Sequence, residues 1–487
     1  MTTLQTDLPT LSDGSPMSDR YDAIVVGAGS GGLTVAVGLS ILGKSVALIE
    51  ASNIGGDCTN VGCIPSKSLL HRARHQAGAA GADILAEVRA KRDRLRDEEA
   101  HEYAAMENID LVFARATIES PTSVRLTPTA TEGSFDTTVS AENIIIATGA
   151  RPRPIPIEGL PAERLLTNDN FFEAADLPKR IAILGAGAIG LELGYAANLL
   201  GSEVTILEAG SKVLPQLPNA AGVEVSRALT SQSIDVRTQQ TAKRYDPDSN
   251  ALHIGPLDGD ETDVLPNIDA VLVAVGRIPN SDSLGLDAKN VRIETDRGFI
   301  VTDNKGRTNV GSIWAVGDVT TRSRTTHGAN AWGRRITKAI AFPYVPIGSK
   351  PIIPAAIFAQ PEIATIGQHP EFPGDDVNRI VLEIPSTDRA YTDDVQDGVI
   401  ILDVRRLTGK VMAVTVVGPH AGELIGIVSM AMTNDIPLHK WYSVVWAYPT
   451  YSGAIGKVVD LHMSETLTNI KRESRRWFRG SLRRLRR

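Results

Sequence analysis

Chemistry in this chain starts with its cysteines. There are only two, Cys58 and Cys63, in the segment "GGDCTNVGCIPSK" at 55–67. In a chain of 487 residues, two cysteines are too few for a disulfide scaffold of the secreted kind. Taken alone, their spacing fits a pair of buried apolar side chains. A zinc site would need two further ligands, and none stands nearby in the sequence. A redox pair is the third reading, and context favours it. The segment directly follows a glycine-rich nucleotide-binding pattern, and Pro65 suits the first turn of a helix starting near Cys63. A helix N-terminus lowers a thiol's pKa and favours the reactive thiolate.

The elements that must position this pair are written in an internal repeat. "YDAIVVGAGSGGLTVAVGLSILGKSVALIEAS" begins at Tyr21, and "RIAILGAGAIGLELGYAANLLGSEVTILEAG" begins at Arg180. A shift of 158 positions superimposes them without a gap. Each copy predicts a strand (23–26, 181–184), a glycine turn, a helix of about ten residues ending at Gly43 or Gly201, and a second strand (46–49, 204–207). The first glycine of each turn (Gly27, Gly185) makes the tight bend, and the second (Gly29, Gly187) lets backbone approach a pyrophosphate. The third (Gly32, Gly190) lets helix and strand pack closely. The helix N-terminus attracts the phosphates, while Glu50 and Glu208 end the second strands, where an acid holds ribose hydroxyls. Two such units imply two dinucleotides. Glu208 would repel a 2′-phosphate, and Lys212 follows it without an arginine cluster, so NADH is expected rather than NADPH.

With these motifs in place, "GGDCTNVGCIPSK" resembles the redox-disulfide signature of the pyridine nucleotide-disulfide oxidoreductases, which include dihydrolipoamide dehydrogenase, glutathione reductase and mercuric reductase. The resemblance runs over about residues 20–465, with "IIIATGARP" (144–152), "VLVAVGRIPN" (271–280), "TNVGSIWAVGD" (308–318), "FAQPEIATIG" (358–367) and "VVGPHAGELI" (416–425) in family order. It implies an α/β fold with two Rossmann-like dinucleotide-binding domains, for FAD and NAD, and a C-terminal α+β dimerisation domain. The implied limits are a disordered 1–19, an FAD domain in two pieces (20–150 and 278–345), an NAD domain at 151–277, an interface domain at 346–465 and a basic tail at 466–487.

The same resemblance implies roles. FAD would meet Gly27, Gly29, Gly32, Glu50, Lys67, Thr148, Gly149, Asp318 and Thr326, with a helix starting near Thr326 and His327 aimed at the flavin. NADH would meet Gly185, Gly187, Gly190, Glu208 and Gly276, and Lys67 would pair with Glu192 near flavin N5. Cys63 would be the charge-transfer thiolate and Cys58 the interchange thiol. The expected protein is a homodimeric flavoenzyme passing electrons from NADH to this disulfide and on to a small acceptor: a disulfide, a metal ion or a quinone.

One departure bears on the acceptor. Lipoamide and glutathione reductases carry a C-terminal "HPT…E" whose His and Glu reach the partner's thiols as acid and base. In "WAYPTYSGAIG" (446–456), Tyr448 stands at the His position and Gly453 at the Glu position. An ordinary tyrosine, with a pKa of about 10, is a poor base at neutral pH. "GGDC" and "TDRAYTD" (387–393) look more like the mercuric-reductase-like branch, yet that enzyme's C-terminal cysteine pair is missing. A dihydrolipoamide dehydrogenase with an altered acid–base residue is the alternative. A membrane-recruited redox sensor with slow turnover is another.

Charge separates the tail from the body. The net charge of −7 argues against general nucleic-acid binding. Residues 471–487 hold nine basic residues and one acid, Glu473. As a helix this segment would align Phe478, Leu482 and Leu485, and such a segment can lie on an anionic membrane. A solvated, disordered tail is the plainer reading. The polar 1–19 carries no secretory pattern and no apolar run is long enough to span a bilayer, so a cytoplasmic location is expected, peripheral to a membrane if the tail binds one.

Overall fold

The computed structural model describes residues 17–76, 79–129, 135–287, 291–322 and 324–484, with side chains up to 468. Two compact units emerge. The first comprises Met1–Gly185, Ala196–Val204 and Thr241–Pro351; the second comprises Ala186–Tyr195, Thr205–Gln240 and Ile352–Arg487.

The first unit is organised by a parallel sheet. Strand Arg20–Val26 pairs with Val46–Glu50 on one side and with Thr137–Ile146 on the other. Ile109–Ser120 extends the sheet beyond Val46–Glu50, and Ile313–Ala315 extends it beyond Thr137–Ile146. Where they pair in parallel, the stretches 23–26, 46–49 and 144–146 are short apolar runs, as strands covered on both faces must be. Two of the strands are longer because each also pairs with an antiparallel strand. Residues 109–113 pair in parallel, whereas 114–120 turn to pair antiparallel with Ser123–Pro128. Thr137–Ile146 does the same in reverse, meeting Ser123–Pro128 through its first residues.

Helices Ser30–Ile41 and Thr326–Ala341 pack together on this sheet, and glycines set their separation. A Cβ on Gly333 would lie 2.9 Å from Thr34 Cβ, and one on Gly38 would lie 2.8 Å from Thr337 Cγ2. The turn before the first helix is tighter still. Gly27 has φ +105°, and a Cβ on Gly32 would stand 1.9 Å from the Gly27 carbonyl oxygen. The repeat is structural as well: Gly185 has φ +102°. The unit also holds the parallel strands Arg180–Leu184, Ala270–Val273 and Leu165–Leu166, and an antiparallel trio, Thr241–Asp246, Ala251–Gly255 and Asp263–Leu265.

In the second unit, Asp235–Thr238 pairs in parallel with residues 205–208. Its larger part is an antiparallel sheet ordered Ala355–Ile357, Ile363–Gly367, Val411–Val417, Val399–Arg405, Val377–Glu383. Helices Ala421–Thr433 and Ser452–Arg484 cover it. Inside the sheet the fully buried Asp403 is matched by the Arg379 guanidinium and by His369, whose Nδ1 lies 2.7 Å away. A buried carboxylate persists only when paired in this way.

The expected α/β architecture with its C-terminal α+β portion is therefore present. At the ends, Met17 is already in the core, packed with Tyr21, and 1–16 lie outside the described residues. Backbone helix continues through the basic segment to Arg484, so the plainer reading of that segment as a disordered tail does not describe its backbone. Its side chains and residues 485–487 lie outside the description. Among the described residues no helix is long and apolar enough to cross a membrane.

Candidate active site

Cys58 lies in the short helix Gly56–Asn60, and Cys63 opens the helix Cys63–His75. Pro65 occupies the first turn of that helix, as its spacing predicts. The linking turn is tight. Val61 N–H donates to Asp57 O at 2.9 Å, and a Cβ on Gly62 would come 2.7 Å from that same oxygen. Asn60 holds the turn by donating to Ile54 O and Gly56 O at 2.8 and 2.9 Å. Cys58 is half-buried and Cys63 exposed.

A second helix reaches the same place. Thr325 caps Thr326–Ala341 by accepting the Gly328 amide, and Thr326 Oγ1 lies 3.5 Å from Cys63 Sγ. Two helix N-termini thus meet at one sulfur. Their partial positive charges favour a thiolate there. The Cys58 thiol is pushed well above the ordinary thiol range. The main cause is its hydrogen bond with Cys63; burial and the Cys63 charge add to it, opposed by Thr326 and Lys67. Lys67 lies one helical turn after Cys63.

Nucleotide sites follow from the repeat. Glu50 accepts the Ala28 and Ser52 amides, both at 2.8 Å. Glu208 accepts the Ala186 amide at 3.0 Å and the Gly210 amide at 2.7 Å, the same contacts 158 residues on. Burial pushes the Glu50 carboxyl upward, against three backbone amides that lower it. Backbone is open where a ligand must approach, since a Cβ on Gly149, Gly187 or Gly276 would meet nothing within 4 Å, and one on Gly29 only Gly56 Cα at 3.8 Å. Thr148 and Gly149 are locked to Asn280: Thr148 Oγ1 donates to Asn280 O at 2.7 Å, and Asn280 N–H donates to Gly149 O at 3.0 Å. These residues fit two dinucleotides. Lys212 Nζ, near Glu208 in the sequence, is held by Leu217 O and Asn219 Oδ1, both at 2.8 Å.

Other expected residues belong to the second unit. Glu192, in the second unit, is buried and accepts the Phe358 amide at 3.0 Å. Tyr448 is also in the second unit, 79% exposed and followed by a cis bond to Pro449. Gly453 is the second residue of the last helix and donates its amide to Thr450.

Sequence reasoning missed one group. Arg277 forms an ion pair with Asp57, donates to Ala150 O, and stands 3.7 Å from Asp318 through its Nε. The only sequence signal was the acid in "GGDC"; its partner lies 220 positions away. Burial pushes the Asp318 carboxyl upward, with Arg277 opposing and Asp57 adding to the rise.

Residues 21–333 match the profile of the pyridine nucleotide-disulphide oxidoreductases, and 353–459 match that family's dimerisation domain. Dihydrolipoyl dehydrogenase from Chlamydia pneumoniae is 31% identical over 463 residues, covering 90% of this chain and 95% of its own. The Bacillus subtilis dihydrolipoyl dehydrogenase is 30% identical, covering 88% and 93%. Among solved structures, the HOCl-induced flavoprotein disulfide reductase RclA from Escherichia coli superimposes with a TM-score of 0.80 at 28% identity, covering 91% of this chain and all of its own. Its Cu(II) complex superimposes with a TM-score of 0.81.

Coupling between the thiols has a pH consequence. The Cys63 thiolate raises the pKa of Cys58, so removing that thiolate must lower it. In reduced Cys63→Ser protein, thiolate absorbance in the ultraviolet should show Cys58 ionising at lower pH than the second step of the wild type. An unchanged second step would show that burial alone sets it.

Proposed function

We propose, from the fact that the chain belongs to the pyridine nucleotide-disulphide oxidoreductase family, that it is a reductase whose Cys58–Cys63 pair takes electrons from NADH and delivers them to an oxidising metal ion. The family and its relatives use FAD and NAD(H), so the chain is an FAD-dependent oxidoreductase, and its dimerisation domain supports a homodimer. When bound, FAD supplies hydride acceptance from NADH and two-electron delivery to a disulfide. Gly27, Gly29, Gly32, Glu50, Thr148, Gly149, Asp318 and Thr326 would hold it, with Lys67 as the charged group at its reactive edge. Gly185, Gly187, Gly190, Glu208 and Gly276 would hold NADH.

The observation that carries this reading is the dithiol at two converging helix N-termini. Cys63 holds the thiolate, and Cys58 is the thiol offered to the acceptor. What the chain lacks selects among acceptors. Reducing a disulfide requires a proton for the departing sulfur and a base for the attacking one. A positioned acid–base side chain contributes about 10²–10⁴-fold to such steps, and Tyr448 with Gly453 cannot supply it as a His–Glu pair does. A metal ion needs no proton. Two metal ions such as Cu(II) each take one electron as the two thiols lose their protons and re-form the disulfide. RclA, known as a Cu(II) complex, is a structural relative, which supports this choice.

A second reading concerns place. The last helix runs to Arg484, 25 residues past the end of the matched dimerisation domain, and the added part carries the basic segment. We propose that this extension lets the enzyme rest on an anionic membrane surface, since a basic amphipathic helix gains both apolar burial and charge attraction there.

Two measurements test these readings. With NADH, turnover on Cu(II) should exceed turnover on lipoamide, and Tyr448→His combined with Gly453→Glu should raise the lipoamide rate about 10²-fold while leaving the Cu(II) rate unchanged. Fast lipoamide reduction by the unaltered enzyme would overturn the acceptor assignment. For the tail, full-length protein should co-sediment with phosphatidylserine vesicles and a 1–470 truncation should not; equal binding would remove the membrane role.

A further inference from the structure

Arg277 joins segments that are far apart in the chain. It stands in the strand Arg277–Pro279, which pairs antiparallel with Ala150–Pro152. From there its guanidinium bonds Asp57 in the thiol turn and Ala150 O, and reaches Asn168 Oδ1 at 3.5 Å. Its Nε is buried, has no hydrogen-bond partner among the described residues, and lies 3.7 Å from Asp318. Asp318 is also close enough to feel the charge of Cys63. Arg277 thus faces both the carboxylate next to Cys58 and Asp318, on which Arg324 also acts.

We propose that Asp57 and Arg277 are a matched pair of positioning residues that set how readily the Cys58–Cys63 disulfide is reduced. The inference rests on these cysteines being the redox pair. Asp57 adds negative charge one residue before Cys58, and Arg277 cancels it. Reduction takes two electrons and two protons, and part of the product carries a thiolate at Cys63. Any unbalanced charge nearby therefore shifts the equilibrium between disulfide and dithiol. The ion pair also ties the turn 56–62 to the segment ending at Ala150. The thiol turn is held from the other side by Thr59, which donates to Glu99 at 3.1 Å.

Charge balance makes a prediction that a purely structural contact does not. Asp57→Asn removes one negative charge beside the thiols, so the thiolate is stabilised and the disulfide becomes easier to reduce. Arg277→Gln leaves Asp57 uncancelled, so reduction becomes harder. The experiment equilibrates FAD-loaded protein with graded ratios of oxidised to reduced dithiothreitol and quantifies free thiols. The expected result is an equilibrium constant displaced in opposite directions, each by about threefold to tenfold, tenfold being about 30 mV. The Asp57→Asn, Arg277→Gln double variant should return to within about twofold of wild type, as balanced charges require. Should Arg277→Gln fail to fold, Arg277→Lys, which keeps the charge, should stay within that twofold while Asp57→Asn still shifts. Shifts in the same direction, or no shift beyond twofold in either single variant, would overturn the proposal. If the wild type shows no two-electron thiol couple at all, it is the assignment of Cys58 and Cys63 as the redox pair that fails, not their charge balance.

Discussion

Everything in this site depends on two helices beginning at the same sulfur. Cys63 starts one, and Thr326 starts the other 263 residues later. A thiolate at Cys63 is held by the partial positive charge at both N-termini, and its charge in turn keeps Cys58 protonated. The meeting is enforced by the sheet. Ile313–Ala315 pairs in parallel with Thr137–Ile146, beside Arg20–Val26, and so brings the second helix to the end of the sheet where the first glycine turn and the thiol segment lie. Glycines at 31, 38 and 333 then let the two sheet-packed helices close up; a Cβ at any of them would press on a neighbour.

Much of this was legible in the sequence because it is local. The glycine turns, the short apolar strands, the closing acids and Pro65 each act within about twenty residues. The 158-residue repeat made the second nucleotide unit as readable as the first, and the structure repeats even the amide contacts to Glu50 and Glu208. What was not legible is non-local. Nothing in the spacing of Asp57 and Arg277 announces a contact, because the strand carrying Arg277 is placed by its pairing with Ala150–Pro152. The double service of Ile109–Ser120 and Thr137–Ile146 is likewise a matter of register, not of composition. Met17 lay among polar neighbours that read as a disordered start, yet its side chain fills the core beside Tyr21.

On the proposed function, the thiols and the glycine turns form the electron-receiving end, and the delivering end is altered. In the segment that resembles the family's C-terminal acid–base motif, Tyr448 and Gly453 replace the His and Glu that would help to cleave a disulfide. An acceptor that takes electrons without protons fits that asymmetry.

Anaerobic titration of the purified, FAD-containing protein with NADH, followed by visible absorption, tests the central claim most directly. A long-wavelength charge-transfer band should rise to a maximum at two electrons per chain and be absent in Cys63→Ser. A protein without bound flavin, or a band that persists in Cys63→Ser, would contradict the account.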